Sequence, residues 1–354
     1  MIVLIAVGAL ATVVSAIGVA LFRRNADRLR LLDVPNQRSL HQTPVPRGAG
    51  VLIVVITISG CALAWATQRS VPGTFEIAAL AGGALVAWVS WFDDRRSQSA
   101  RVRMAVHLAA AVLVLLPAAG FSATLLPGAS AFSVAVAGVV AVLWLVGLTN
   151  AYNFMDGIDG LAGGQAVIAG LAWAALGVTV NDWNLALPGV LIAGSSLGFL
   201  LHNWSPARVF MGDVGSTFLG YAFAVLCLMG TARHPNLFLP GVLVMGLFVF
   251  DTSFTFLRRW RAGENVFGAH RSHIYQRLVI AGMSHSSVVL VYLGIATAGA
   301  IAAYGVASGS PMADRLAVAG VPLVAASLVW GVGARERLSV AQKKRAETRA
   351  GTLG

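Results

Sequence analysis

Four polar side chains recur every third residue in the segment Asn150-Ala-Tyr-Asn153-Phe-Met-Asp156-Gly-Ile-Asp159. Side chains three apart on a helical turn are neighbours, so two amides and two carboxylates on one side could bind a metal ion or the donors of a ligand. Gly157 and Gly160 allow close backbone approach in a loop that runs into a helix N-terminus, a place suited to anions. A single Asn or Asp here would fit helix capping. Four in register beside an apolar run are harder to explain that way, because burying carboxylates without a purpose costs several kcal/mol.

Four other segments carry chemistry of the same kind. In Phe210-Met-Gly-Asp213-Val-Gly-Ser216 a carboxylate stands immediately before an apolar run. Asp213 there fits either an N-cap or a magnesium ion, which takes one or two carboxylates and leaves its other positions to water and phosphate oxygens. Phe210 could offer a flat face to a nucleobase or pack at the interface. Asp93 and Asp94 are adjacent carboxylates that repel unless cations offset them, and Arg95, Arg96, Arg101 and Arg103 follow closely. His270-Arg271-Ser272-His273-Ile274-Tyr275-Gln276-Arg277 mixes arginine for bidentate contacts with histidine for single hydrogen bonds, a set suited to a diphosphate. Zinc fits poorly, with no Cys or carboxylate ligands at the usual spacing. The last segment is Asp33 to Gly50, and Asp251, inside an apolar run, either pairs with the arginines near 258 or lines a cavity.

These residues need a scaffold, and composition says which kind. Of 354 residues 57% are hydrophobic and 11% charged, where a soluble domain has roughly a quarter charged. Eleven apolar runs, near 2–22, 48–67, 75–92, 104–120, 131–149, 159–178, 185–202, 214–231, 237–257, 286–307 and 312–333, approach the length a bilayer core requires of a helix. They are continuous and rich in Ala, Leu and Gly, unlike the alternating strands of a barrel. The expected fold is therefore all-α and polytopic, about eleven transmembrane helices with the N-terminus outside and the C-terminus cytoplasmic. That orientation places 22 of the 25 Lys and Arg inside and only Arg69, Arg233 and Arg315 outside. The net charge of +11 is thus explained without nucleic acid. Cys61 and Cys227 lie within apolar runs and read as small buried hydrophobes.

The same parity gathers all five polar clusters on the cytoplasmic face, while the outer loops are short and featureless. A channel or pump would carry ionisable groups through the bilayer; a one-sided arrangement suits an enzyme acting on a charged, water-soluble substrate at the membrane surface. We expect one transmembrane catalytic domain over 1–333 and a basic cytoplasmic tail over 334–354, which could lie against anionic lipid.

The five clusters, in this order, resemble the polyprenyl-phosphate N-acetylhexosamine-1-phosphate transferases, membrane enzymes that initiate peptidoglycan, O-antigen, enterobacterial common antigen and teichoic-acid linkage units. The resemblance runs from about Asp33 to Leu278. It is carried by Asp33-Val-Pro-Asn36-Gln-Arg38-Ser-Leu-His41 with Pro44-Val-Pro-Arg47-Gly, by Asp93-Asp94, by Asn150 to Ala162, by Met211-Gly-Asp213-Val-Gly-Ser216 and by the His/Arg loop. It implies a UDP-N-acetylhexosamine donor, undecaprenyl or another polyprenyl phosphate as acceptor, Mg²⁺, release of UMP, and a multi-pass protein of the bacterial inner (plasma) membrane with a cytoplasmic active site. A homodimer is left open.

By motif position the resemblance implies that Asn153 and Asp213 neighbour the magnesium, with Asp213 also catalytic. It implies that Asn150, Asp156 and Asp159 help form the uridine and phosphate site and that Phe210 packs on uracil. Asp93 and Asp94 match the catalytic carboxylates that handle the acceptor, Arg271 and His273 match positions that hold the diphosphate or sugar, and His41 and Arg47 belong to the first substrate-binding motif. Three departures stand out: Ser97 at the third acidic position of an Asp-Asp-x-x-Asp pattern, Ser39 where many members have Lys, and Tyr275-Gln276 in place of consecutive histidines. This loop is closer to the O-antigen and surface-polysaccharide branch and points to a different sugar, such as N-acetylfucosamine or N-acetylquinovosamine. The alternatives are a transferase specific for UDP-N-acetylglucosamine and, from another class, a transporter of a lipid-linked substrate.

Overall fold

The protein is described by a computed structural model covering residues 1–29, 31–33, 44–67, 72–117, 130–266, 268 and 270–351. Each of the eleven apolar runs becomes a helix: α1 (Ile2–Leu29), α2 (Val51–Ala66), α3 (Thr74–Arg95), α4 (Ala100–Leu115), α5 (Ala131–Phe154), α6 (Leu161–Thr179), α7 (Trp183–Asn203), α8 (Asp213–Arg233), α9 (Phe238–Arg261), α11 (His285–Ala307) and α12 (Pro311–Gly351). A short α10 (Ile274–Ile280) precedes α11, and β1 (Leu32–Asp33) pairs antiparallel with β2 (Val45–Pro46). Among the described residues nine helices are long and apolar enough to cross a membrane, so the chain is an all-α polytopic membrane protein.

The expected count of eleven spans needs one refinement. α2 and α4 have 16 residues each, which at 1.5 Å per residue is about 24 Å, short of the hydrocarbon core of roughly 30 Å. α4 begins at Ala100, because Ser99 caps it by accepting from the Val102 N–H, and its first turn holds Arg101 and Arg103. Its lower end therefore belongs to the polar face. Residues 334–351 of the basic segment continue α12, which runs without interruption from Pro311 to Gly351.

α8 is the axis of the bundle. In its most apolar stretch 89% of residues are buried, against 17% for α5, and it packs on α3, α5 and α9. Small residues at its start allow this: a Cβ on Gly215 would lie 2.7 Å from the Gly50 Cα at the start of α2. The N-terminus of α8 is thereby pressed against the segment entering α2, which decides where Asp213 sits.

Candidate active site

Two chain segments far apart in sequence meet as backbone. The Arg47 N–H donates to the Leu31 carbonyl (2.9 Å), the Phe210 N–H to the Pro46 carbonyl (2.7 Å), and the Gly48 and Ala49 N–H groups both to the Phe210 carbonyl (3.2 Å each). Phe210, half-buried, thus lies in parallel register beside Arg47. The Arg47 guanidinium is delivered to the first turn of α8.

There it bridges two carboxylates, Nε to Asp94 Oδ1 at 2.9 Å and Nη2 to Asp213 Oδ1 at 2.8 Å. Burial disfavours its charge, but Asp213, Asp94, Asp33 and Asp156 together more than reverse this and raise its pKa. Asp94, in the last turn of α3, also accepts from the Asp213 N–H (2.9 Å) and the Val214 N–H (3.0 Å). Its side chain is fully enclosed. Asp94 therefore caps α8 from another helix, where backbone N–H groups have no intrahelical partner. The capping role that sequence offered Asp213 is filled by Asp94, and Asp213 keeps its carboxylate for other contacts.

Asp213 Oδ1 also accepts from Asn153 Nδ2 (3.0 Å), which contacts Ser216 Oγ at 2.9 Å. Arg103 Nη1 lies 3.2 Å from Asp93 Oδ2 and 3.6 Å from Asp213 Oδ2. The Asp93 and Asp213 carboxylates are within hydrogen-bonding reach of one another, and Asp93 further accepts the Gln98 N–H. Two carboxylates in contact need a shared proton or a cation between them. Of the ion-paired side chains here, Arg103, Arg47 and Asp213 are 38, 33 and 17% exposed, so a ligand would meet two guanidinium groups and a carboxylate.

Gly212 makes the junction feasible. Its φ is +77°, and a Cβ would fall 2.6 Å from Asp94 Oδ2 and 2.8 Å from the Gly48 Cα. We expect Gly212→Ala to displace the Asp94 cap and reduce activity at least tenfold, while Gly138→Ala, whose Cβ meets nothing within 4 Å on α5, leaves it unchanged. Equal activity in the two variants would argue against the cap.

The four-residue register at 150–159 holds only as far as α5 does. The helix ends at Phe154 because Gly157 and Gly160 follow, and Gly160 adopts φ +82°. Asn153 reaches Asp213, whereas Asn150, one turn earlier, contacts His107 Nδ1 (3.2 Å) and the Val146 carbonyl (2.7 Å). Asp159 turns to the Ala207 N–H (3.1 Å) and to His285 Nδ1 (3.5 Å). Burial raises its pKa, but His285, the Ala207 N–H and the Ser205 hydroxyl outweigh burial and hold it below the usual carboxylate range.

Asp156 behaves oppositely. Burial pushes its pKa up to about 7, Arg47 pulls it down, and Asp213, Asp94 and Asp159 add to the rise. The folded state then binds this proton more tightly than the unfolded chain does, so the stabilisation is complete below about pH 4 and is lost as pH climbs through 7. Without divalent metal, Asp156→Asn is expected to melt several degrees above wild type at pH 8 and level with it at pH 4. An unchanged difference between the two pH values would contradict that environment.

The remaining expected residues lie on another element. His273 is buried at the start of α10, with Nδ1 3.2 Å from Asp251 Oδ1 and its ring 6.1 Å from that of Phe154. Asp251 is completely enclosed and accepts from the Ile274 N–H (2.9 Å), the Tyr275 N–H (3.3 Å) and the Tyr292 hydroxyl (2.7 Å). Asp251 thus anchors the His/Arg loop, rather than pairing with the arginines near 258 or lining a cavity. Arg271 borders a cleft between α9, α10 and α12. His41 lies outside the described residues.

Arg103, Ser216 and Asn203 were missed as site residues. Ser216 sits three after Asp213, a helical spacing that sequence displays. Asn203 is buried, accepting from the Gly160 N–H (3.0 Å) and donating to the Val209 carbonyl (2.9 Å), so it ties the 155–160 loop to the segment before Asp213. A lone Asn at a span end carries no such signal.

Residues 77–231, which hold the Asp93–Asp94, Asn153 and Asp213 segments, match the family described as Glycosyl transferase family 4. The chain is also 32% identical over 279 residues, 77% of its length and 76% of the relative's, to the probable undecaprenyl-phosphate N-acetylglucosaminyl 1-phosphate transferase of Bacillus subtilis. It belongs to glycosyl transferase family 4. This family 4 chain is 30% identical over 334 residues, 85% of its length and 81% of the relative's, to the decaprenyl-phosphate N-acetylglucosaminephosphotransferase of Mycobacterium tuberculosis. A phospho-N-acetylmuramoyl-pentapeptide-transferase of Lactiplantibacillus plantarum is 34% identical over 180 residues, 50% of the chain and 54% of the relative. The segment linking Arg47 to Phe210 joins the matched region to a motif outside it.

Proposed function

We propose that this family 4 chain transfers an N-acetylhexosamine 1-phosphate from a UDP-sugar to a polyprenyl phosphate, releasing UMP. The observation that carries the reading is the convergence of Arg47, Asp93, Asp94, Asn153 and Asp213 at one end of apolar helices, in a chain whose relatives are named for this transfer. A phosphate oxygen of the acceptor attacks the sugar-bearing phosphorus, the bond to the UMP oxygen breaks, and the diphosphate sugar stays with the lipid. Arg47 and Arg103, the most open groups of the site, would bind the phosphates and offset their charge. Asp94 acts as a positioning residue through the α8 backbone and Arg47. Asp93, beside Asp213, would orient the acceptor or take its residual proton.

Magnesium fits the donor set. Among the described residues no group of three His, Cys, Asp or Glu forms a metal cage, but this cation needs only one or two carboxylates and takes phosphate and water oxygens for the rest. The Asp213 carboxylate, partly open where an anionic substrate would sit, is the donor such a cation would use. Asp213 would hold it with Asn153 nearby, and it would supply charge neutralisation at the phosphates.

The orientation that puts this end in the cytoplasm is supported by the Lys and Arg distribution, and the reading places the chain in a bacterial plasma membrane. The named relatives favour N-acetylglucosamine as the sugar, and the Tyr275-Gln276 departure favours a variant sugar. Purified protein with undecaprenyl phosphate, Mg²⁺ and a panel of UDP-N-acetylhexosamines would decide, read as sugar entering the lipid phase. One donor should dominate. No transfer from any donor, with an active relative as control, would move the transporter reading forward, although Asp251, fixed by three helices and a loop, is no mobile ion carrier.

A further inference from the structure

The cleft beside the His/Arg loop is a second basic feature, separate from the Arg47–Asp94–Asp213 cluster. It measures about 380 Å³ and is lined by Arg258 at the end of α9, Arg271 and Ser272 in the loop, Arg277 on α10, and Glu336 and Ser339 on α12. Glu336 engages Arg277 in a two-pronged pair, Oε1 to Nε at 2.8 Å and Oε2 to Nη2 at 2.7 Å. Arg277 is thus paired with Glu336, and Arg258 and Arg277 lie close enough to repel. The Arg258 Nη2 donates to the Ser272 carbonyl (2.9 Å), but its Nε–H is enclosed and without a hydrogen-bond partner. Arginines gathered on one cleft wall offer a forked set of donors to an anion.

The walls say where such an anion comes from. Ile280, 59% exposed, lines the cleft together with Val340, 55% exposed, so apolar side chains stand open beside the arginines. A headgroup phosphate with its acyl chains along that edge fits both, and basic pockets between helices on the cytoplasmic side bind anionic headgroups.

We propose that the cleft between α9, α10 and α12 is a phosphate-binding site for an anionic membrane lipid, holding the extension of α12 onto the His/Arg loop. A free phosphate would use the same arginines, and the test separates the two sources.

Thermal unfolding would be followed in nanodiscs of phosphatidylcholine, in discs with 30% phosphatidylglycerol, and in phosphatidylcholine discs with inorganic phosphate. The expected result is a rise of several degrees with phosphatidylglycerol, since a ligand that binds only the folded state stabilises it. That rise should vanish in Arg258→Gln/Arg277→Gln and in Ser339→Asp, which adds a negative charge while keeping every arginine contact. It should persist in Arg335→Gln/Arg337→Gln, which removes two exposed charges of α12 outside the cleft. A rise with inorganic phosphate instead, lost in the same variants, would keep the anion site and assign it to a soluble source. No rise with either, or a rise that falls equally in the Arg335/Arg337 variant, would overturn the proposal.

Discussion

Asp213→Asn is expected to lower turnover by at least about 10³-fold, on the scale of losing a group that stabilises transition-state charge, while the protein remains folded in the membrane. The two effects separate because Asp94 holds the Asp213 backbone N–H and not its side chain. The cap of α8 therefore survives the substitution, and the amide oxygen can still accept from Arg47. What disappears is the negative charge that faces Arg47, Arg103 and, in our reading, the metal. Sugar-lipid formation gives the first quantity, and thermal unfolding with size-exclusion elution the second. Near-wild-type turnover would remove Asp213 from the metal site, and a variant that fails to fold would mean that its carboxylate is chiefly structural.

Arg47→Met carries the second large effect, this time on stability and activity together. The guanidinium is the counter-charge of two carboxylates, one of them fully enclosed. Breaking a buried pair by removing one partner typically costs about 3–5 kcal/mol; with Arg47 one-third exposed, solvent screening puts the expected loss at the lower end of that range. Arg47→Lys should recover part of the stability and little of the rate, because a point charge cannot contact Asp94 and Asp213 as a planar fork does. Melting curves and initial rates of the two variants test this. A Met variant as stable as wild type would show that the bridge contributes nothing to folding.

The apolar runs were legible because a bilayer leaves long, unbroken signatures, and each of the eleven became a helix. Their ends were less so: α4 starts earlier than its run because Ser99 supplies a cap, and α12 outlasts its apolar stretch because a helix of charged residues needs no membrane around it. Asn153 and Asp213 were placed together only by the family resemblance, and the structure brings them to 3.0 Å. Asp159 diverged from them because the helical register stops at Phe154, and a spacing rule cannot see where a helix ends; Asn150, within the helix, turned to His107 of α4 instead. Asp94 was legible as one of an acidic pair but not as the cap of α8, which requires knowing that α3 ends where α8 begins. Asp251 is the clearest case of position without meaning in sequence: only the packing of α9 against the His/Arg loop shows a carboxylate gathering the donors that begin α10.

Which nucleotide leaves the donor tests the central claim most directly. Wild-type protein would be given a UDP-N-acetylhexosamine labelled in the sugar, with polyprenyl phosphate and Mg²⁺, and the nucleotide product separated while the label is followed into lipid. The account predicts UMP in equimolar amount with a lipid diphosphate sugar, both lost in Asp213→Asn. Release of UDP, with the sugar joined to the lipid through a single phosphate, would place the reaction at the glycosidic carbon and contradict it.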